Sequence, residues 1–252
     1  MASPERIAYG DGPHQWGELH RPSGESRGVV VVIHGGFWKA EYDASLGEPL
    51  ARDLAARGWA AFNLEYRRVG QGGGGAPGSS GTLDDVAAGI DALADVAELD
   101  LSTVVTLGHS AGGHLAAWAA ARARFSRWTP SRVGVTAVIS QAGVLDLTRA
   151  HAEDLGDGAV AAFMGGAPGP AYDLADPQRH LPLEVPVWCV HGRDDDVVPP
   201  HHSADYVRAS RDAGGEATLV EVPGDHFAVT DVADEAWSRI VGALESMRPT
   251  PR

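Results

Sequence analysis

The chain has 252 residues with a hydrophobic share of 44%, which is enough for one α/β domain with a full core. Acidic residues outnumber basic ones by 34 to 20, and this excess argues against nucleic acid or an anionic membrane as a partner. The single cysteine, Cys189, excludes an internal disulfide and fits a reducing compartment. The start has no apolar leader and no run of 18 apolar residues follows, so we expect a soluble cytoplasmic protein.

The predicted elements alternate between strands and helices along the chain. A weak edge strand around Trp16 and Leu19 comes first. Further strands are predicted at residues 28–33, 59–64, 104–107, 133–139, 185–190 and 217–222. Helices are predicted at residues 46–57, 82–96, 111–125, 203–213 and 235–247.

The strand runs are apolar throughout, which is typical of parallel strands buried on both faces. This pattern predicts an α/β fold with a mostly parallel central sheet and helices on both faces, forming a single domain over residues 1–252. One long interruption runs over residues 143–183, with a weak helical patch at 159–164. It is either a small cap over an active site or an ordinary surface excursion.

The stretch V-V-T-L-G-H-S-A-G-G-H-L-A-A at residues 104–117 carries the strongest chemical signal. An apolar strand leads into G-x-S-x-G at residues 108–112, and an Ala-rich helix follows. The flanking glycines let strand and helix approach closely and leave the hydroxyl of Ser110 exposed above the sheet. The context favours Ser110 as a nucleophile over a serine that only caps the helix.

Candidate acids follow the strand predicted at residues 185–190, in the run H-G-R-D-D-D-V-V-P. We select Asp195 because it fits H-G-x-x-D counted forward and D-x-x-V-P counted back. Asp194 and Asp196 remain alternatives, and all three would otherwise form a solvated acidic turn.

The candidate base is His226, in the run P-G-D-H-F directly after the last predicted strand. A loop at that place brings the imidazole back toward Ser110, where it would serve as general base and then general acid. Five further histidines are interpreted as loop braces or as solvated residues: His34, His109 and His191 as braces, His201 and His202 as solvated.

The run H-G-G-F-W at residues 34–38 ends the first central strand and supplies candidate oxyanion donors. The backbone N–H groups of Gly36 and Phe37, together with that of Ala111 after the nucleophile, are expected to converge on the developing oxyanion. The aromatic side chains of Phe37 and Trp38 are expected to contact the substrate, with core packing as the alternative.

Through these four motifs the chain resembles the α/β-hydrolase superfamily over nearly its whole length. H-G-G-x-W followed by G-H-S-A-G is similar to bacterial esterases and kynurenine formamidases, and also to hormone-sensitive-lipase-like esterases, which usually have H-G-G-G. Phe37 stands in place of the third glycine, so only its backbone N–H matches the family's donor. The resemblance implies an acyl-enzyme mechanism without metal or cofactor, acting on a small-molecule ester or amide.

A serine hydrolase of short-chain or aromatic carboxylic esters is therefore the expected function. Arylformamidase and acyl-peptide hydrolase are the alternative activities, because the resemblance does not separate them. The fold also hosts non-catalytic ligand receptors, which retain the pocket but lose a triad member. Ser110, Asp195 and His226 are all present, which disfavours a receptor. The sequence does not predict an oligomeric state.

Overall fold

A computed structural model describes residues 3–71, 74–75 and 81–247. Within these residues one eight-stranded sheet has the order β1-β2-β4-β3-β5-β6-β7-β8. Its strands are β1 (Glu5–Ala8), β2 (Trp16–His20), β3 (Val29–Ile33), β4 (Ala60–Leu64), β5 (Val104–His109), β6 (Ala137–Gln141), β7 (Val187–Gly192) and β8 (Ala217–Val222). The described helices are α1 (Glu48–Ala56), α2 (Gly81–Ala92), α3 (Ala111–Ala121), α4 (Leu147–Ala152), α5 (Ala159–Met164), α6 (His201–Asp212) and α7 (Glu235–Ser246).

Six neighbouring strands run parallel, in the sheet order β4-β3-β5-β6-β7-β8. At one side of the sheet, β2 pairs antiparallel with β4 and with β1. Parallel strands bring their carboxyl ends to one edge of the sheet, where ligand sites of open α/β folds form. The register pairs Ile33 with Gly108 and His109 with Gln141, so the ends of β3, β5 and β6 are level. The loops that carry the predicted site residues leave from this edge.

Helices cover both faces of the sheet, as the apolar strands predict. Successive residues of β3 alternate between two apolar clusters, Val31 facing one and Val32 the other. Helices α1 and α7 complete the cluster around Val32, with the buried Trp237 among its members. Helices α2, α3 and α6 cover the opposite face.

Several predicted strand boundaries differ from the structure, by one to four residues. The amino-terminal region forms two strands, β1 and β2, where one edge strand is predicted. Strand β7 begins two residues later than predicted, directly after Pro186. Strand β6 begins only at Ala137, because the backbone of Val133 bonds to the side chains of Asp91 and Arg122 instead of a neighbouring strand.

The predicted excursion at residues 143–183 folds into α4, α5 and short 3₁₀ turns that pack on α3. The buried carboxylate of Asp176 accepts hydrogen bonds from the backbone N–H groups of Leu147 and Thr148, at 3.0 and 3.2 Å, where α4 begins. Residues 72–73 and 76–80, in the Gly-rich segment before α2, lie outside the described residues. Within the described ranges, no helix combines the length and the apolar character needed to cross a membrane.

Candidate active site

Ser110 lies in a strained turn between β5 and α3. Its φ of 55° and ψ of −117° place a non-glycine residue in a backbone region that is costly without support. The Ser110 N–H donates to the carbonyl of Gln141 at 2.8 Å, which fixes the turn to the end of β6. A Cβ on Gly108 would lie 2.0 Å from the carbonyl oxygen of Gly112, so only glycine permits this close strand-to-helix turn.

The structure brings Asp195 and His226 into contact. Oδ2 of Asp195 accepts a hydrogen bond from Nδ1 of His226 at 2.7 Å, and both residues are buried. Asp194 and Asp196 are exposed and make no such contact. Because Nδ1 of His226 donates to a carboxylate, Nε2 is the ring nitrogen left to act as a base.

His191 is a second histidine on the same carboxylate, and sequence reasoning assigned it only a brace. Its Nε2 lies 3.0 Å from Oδ2 of Asp195 and 2.8 Å from the carbonyl oxygen of Val198. Since both neighbours are acceptors, Nε2 carries a proton. In the neutral ring Nδ1 then accepts a hydrogen bond from the buried hydroxyl of Ser203, at 2.7 Å. The motif H-G-x-x-D contains both His191 and Asp195, but its spacing alone does not predict the hydrogen bond between them.

Asp195 is ionised by its surroundings. Burial alone would raise the pKa of Asp195, but hydrogen bonds from His191 and His226 outweigh burial and hold the pKa well below its usual range. Oδ1 adds hydrogen bonds from the backbone N–H groups of Val197 and Val198 at 2.9 and 2.8 Å. The carboxylate is therefore fixed in place and negative at neutral pH.

His109, the variable residue of G-x-S-x-G, supports the loop of His226. Its Nε2 donates to the backbone carbonyl of His226 at 2.9 Å, and the two rings lie 4.5 Å apart. Removal from water, together with the neighbouring His226 ring, lowers the pKa of His109 to about 3. His109 is therefore neutral and positions the candidate base through the main chain.

The H-G-G turn lies directly against Ser110. A Cβ on Gly35 would come within 3.1 Å of the Ser110 Cβ. Gly36, Phe37 and Trp38 have φ values of 103°, 51° and 54°, so three successive residues lie in the left-handed region. Among the described residues, neither the N–H of Gly36 nor that of Phe37 donates a hydrogen bond.

A buried polar group holds the strand end from which this turn leaves. The ring of Tyr66 stacks on His34 at 4.3 Å, and its hydroxyl donates to the His34 carbonyl at 2.9 Å. Glu65 lies 3.6 Å from Nε2 of His34 and 3.3 Å from Nη1 of Arg68. Burial would raise the pKa of Glu65, but the neighbouring His34 ring and a hydrogen bond from the backbone N–H of Ala44 lower it overall. His34 thus braces the turn, as predicted.

The structure corrects the prediction that Trp38 contacts the substrate. Trp38 has no exposed surface, its indole N–H donates to Nδ1 of His114 at 3.2 Å, and its ring stacks on Phe163 at 4.4 Å. Two aromatic neighbours and a hydrogen bond turn the indole into the core, so the alternative interpretation of packing holds. Phe37, in contrast, lines the pocket.

The pocket at the carboxyl edge of the sheet has a volume of about 170 Å³ and a mainly apolar lining. Ser110 and His226 lie in its wall together with Gly36 and Phe37. Its other lining residues are Val32, Ile33, His34, Gly35, Tyr42, Leu46, Gly47, Leu50, His109, Phe227 and Thr230. No lining residue comes from the excursion at 143–183, although its Gly156 packs against the ring of Phe37.

Large exposed apolar side chains gather at the mouth of this pocket. Tyr42, Leu46 and Phe227 are 44%, 50% and 62% exposed, and all three line it.

A group of side chains able to bind a metal ion lies outside the pocket. Among the described residues it consists of Glu153, His201 and His202. His202 is buried, so its interpretation as solvated is wrong.

The parallel sheet, the strained serine turn and the chain order Ser, Asp, His define the α/β-hydrolase fold, in its esterase and lipase superfamily. Within it, the chain belongs to the BD-FAE family, whose model matches residues 18–209. This confirms the predicted fold class and superfamily.

Two curated relatives are esterases of Mycobacterium tuberculosis. Esterase LipQ is 27% identical over 263 residues, covering 95% of this chain and 60% of LipQ. Esterase LipC is 27% identical over 241 residues, covering 87% of this chain and 58% of LipC. The chain therefore spans about three fifths of the length of the curated relatives it matches.

Solved structures of esterases share the fold. Esterase B from Lactobacillus rhamnosis, inhibited by a tributyrin phosphonate, superposes with a TM-score of 0.82 at 22% identity, covering 96% of this chain and 84% of its own. Esterase 2 of Thermogutta terrifontis, phosphoramylated by tabun, gives 0.77 at 22% identity, covering 98% and 94%.

Proposed function

We propose that this protein is a serine hydrolase that cleaves short-chain or aromatic carboxylic esters through an acyl-enzyme intermediate. The observation that carries the proposal is that Ser110, on its strained turn, lines the same pocket as His226, whose ring is held by the ionised Asp195. The kinship with curated esterases supports the same reaction class.

In the proposed first step, Oγ of Ser110 attacks the ester carbonyl carbon while Nε2 of His226 takes the hydroxyl proton. Asp195 stabilises the resulting imidazolium through Nδ1. The backbone N–H groups of Gly36, Phe37 and Ala111 stabilise the oxyanion. Collapse of the tetrahedral intermediate breaks the ester bond, and His226 gives its proton to the departing alcohol.

The second step returns the enzyme to its starting state. His226 takes a proton from water, and the resulting hydroxide equivalent attacks the acyl carbon on Ser110. The second tetrahedral intermediate then breaks the bond to Oγ, His226 returns the proton to the serine, and the acid leaves. No proton is lost or gained on the enzyme over the cycle.

The pocket favours a small apolar acyl group. Its inner wall is formed by buried aliphatic residues such as Val32 and Leu50, while its mouth carries the aromatic side chains of Tyr42 and Phe227. A cavity of about 170 Å³ accommodates a few carbon atoms beyond the carbonyl. An aromatic alcohol or acyl group would lie against the mouth.

The test is hydrolysis of p-nitrophenyl acetate, butyrate and octanoate, and of N-formylkynurenine, by the wild type and Ser110→Ala. We expect turnover of the two short esters, less of octanoate, and loss of at least about 10³-fold in kcat for Ser110→Ala. Ser102→Ala, at an exposed position, is the matched control and should retain full activity. Ester hydrolysis that persists in Ser110→Ala would place the nucleophile elsewhere.

Two further arms of the experiment separate the other functions. A specificity constant far higher for N-formylkynurenine than for the esters would establish arylformamidase activity instead. Folded wild-type protein that fails to react with a fluorophosphonate probe would indicate a binding protein. Labelling that requires Ser110 supports the hydrolase.

We also propose that the protein acts in the cytoplasm on a small molecule. The only cysteine, Cys189, is buried, and burial raises the pKa of its thiol to about 12, so it is a core residue without nucleophilic character at neutral pH. This composition is compatible with a reducing compartment.

A further inference from the structure

We propose that Glu153, His201 and His202 form a binding site for a divalent transition-metal ion, with Zn²⁺ as the best-suited ion. The site joins the end of α4, in the excursion at residues 143–183, to the first turn of α6. It lies outside the candidate active site, because none of its residues lines the pocket.

Three potential ligand atoms converge in this cluster. Nε2 of His201 lies 3.1 Å from Oε1 and 3.3 Å from Oε2 of Glu153, and Nε2 of His202 lies 2.8 Å from Oε2. All three ligand atoms fall within 4.8 Å of one another. Bonds of 2.0–2.2 Å at tetrahedral angles put ligand atoms roughly 3.3 Å apart, so little rearrangement is needed to admit an ion.

The convergence of two adjacent histidines is a specific feature of this helix start. Successive side chains on an α-helix diverge by about 100°, so two adjacent residues seldom contact the same carboxylate. Here the rings of His201 and His202 stack at 4.9 Å with 25° between their planes, and both present Nε2 to Glu153. His202 is fully buried, while His201 retains 39% side-chain exposure, which leaves a path from solvent.

Charged side chains next to the cluster hold the carboxylate of Glu153 in place. Nε of Arg149 donates to Oε1 of Glu153 at 2.7 Å, and the same guanidinium pairs with Asp205. Metal-bound carboxylates are commonly held by such outer hydrogen bonds. Oε2 of Glu153 therefore remains for the ion beside the two imidazole nitrogens, and a water molecule would complete four-coordination.

The ligand set selects the ion class. Two imidazoles and one carboxylate suit Zn²⁺, Ni²⁺ and Cu²⁺, whereas Ca²⁺ and Mg²⁺ prefer six or more oxygen atoms. Bound metal would cross-link α4 to α6, the helix that follows the loop of Asp195. Because an ion that binds only the folded state stabilises it by mass action, thermal stability should rise with Zn²⁺ concentration.

The experiment is isothermal titration of the full chain with ZnCl₂ after chelator treatment and desalting, with Ca²⁺ as the comparison ion. We expect one saturable Zn²⁺ site per chain, no Ca²⁺ binding, and a rise in Tm with Zn²⁺. His201→Ala and Glu153→Gln, both at partly exposed positions, should each weaken Zn²⁺ binding about tenfold or more. The matched control is His151→Ala, because His151 lies on α4 two residues before Glu153 but outside the cluster. This variant should bind Zn²⁺ as the wild type does.

Because the readout is Zn²⁺ affinity, the outcome is independent of any hydrolytic activity. Absence of saturable binding would overturn the proposal, as would wild-type affinity in both His201→Ala and Glu153→Gln. Should one variant fail to fold, circular dichroism identifies it and the other variant decides. Binding lost in Ser110→Ala rather than in these variants would place the ion in the pocket and also overturn the proposal.

Discussion

Asp195 is the residue on which the candidate site depends most, because two imidazoles share one of its oxygens. Oδ2 lies 2.7 Å from His226 and 3.0 Å from His191, while Oδ1 is occupied by two backbone N–H groups. Rotation of the carboxylate would break all four hydrogen bonds. His226 therefore meets an acceptor of fixed position.

Asp195→Asn tests this assignment against its two neighbours. The amide carries no charge to stabilise an imidazolium on His226, so kcat should fall about 10³- to 10⁴-fold in p-nitrophenyl butyrate hydrolysis. Asp194→Asn and Asp196→Asn, at exposed positions, should stay within about threefold of the wild type. A large loss in either of these two with an active Asp195→Asn would contradict the choice.

Substitutions of His191 test whether its imidazole positions the carboxylate of Asp195. In His191→Gln the amide N–H₂ reaches the place of Nε2 and retains the hydrogen bond to Asp195, whereas His191→Asn is too short to make it. Without that donor the carboxylate of Asp195 is held less firmly, so the ring of His226 loses its fixed acceptor in His191→Asn. We expect kcat to fall in the same variant.

Rescue by the longer amide separates positioning from a merely structural role. Partial recovery of kcat in His191→Gln, with little change in KM, supports positioning. Equal losses in His191→Gln and His191→Asn, with only a lower fraction of folded protein, would show that His191 serves packing alone.

The role of a single residue can be predicted from the sequence when a motif specifies it. It cannot be predicted when it depends on contacts with residues remote in the chain. The spacing from two sides selected Asp195, and the structure places that residue, not its neighbours, against His226. Trp38 is predicted to contact the substrate because it is, with Phe37, an aromatic residue of the H-G-G-F-W run. Its burial depends on His114 and Phe163, which are remote in sequence and invisible to a local pattern.

At the scale of elements, the turn from β5 into α3 shows how closely the sheet and its helix are packed. A Cβ on Gly112, the second residue of α3, would lie 2.0 Å from the carbonyl oxygen of Ile33 at the end of β3. That atom is backbone and cannot move away without displacing the strand. Gly242, in contrast, is an exposed residue of α7 with open space around the position of a Cβ.

The same substitution should therefore have opposite effects in two helices. Gly112→Ala should lower the free energy of unfolding by about 3 kcal/mol or more, because it forces β3 and α3 apart. Gly242→Ala should raise it by about 0.5–1 kcal/mol, since alanine restricts the unfolded chain and has the better helix propensity. Urea unfolding of both variants checks the signs; equal effects would contradict the packing argument.

Elements with a strong period were predicted well, and irregular ones were not. Strand β8 has the predicted bounds and helix α7 begins at the predicted residue, because periodic apolar residues and clear turn residues delimit them. The pattern at residues 143–183 did not predict where that excursion packs. Its position depends on side-chain contacts such as Trp118 to the carbonyl of Leu174, at 2.8 Å, and not on periodicity.

At the scale of the whole molecule, one buried histidine connects three distant parts of the chain. Nδ1 of His114 accepts from Trp38 after β3, and Nε2 donates to the carbonyl of Ala175 in the excursion, at 2.8 Å. The bond from Trp38 requires the neutral ring, since a protonated Nδ1 would face the N–H of Trp38 without an acceptor. Burial accordingly lowers the pKa of His114 from 6.5 to about 4.

This histidine should make the folded state sensitive to mild acid. Between pH 4 and 6.5 the unfolded chain binds a proton at His114 and the folded chain does not, so the free energy of unfolding falls as pH falls, by about 1.4 kcal/mol per pH unit. His114→Gln removes this proton and should reduce that slope in urea unfolding between pH 4.5 and 6. Gly242→Ala should shift the curve without changing its slope. An unchanged slope in His114→Gln would mean that His114 is protonated in the folded state as readily as in the unfolded chain.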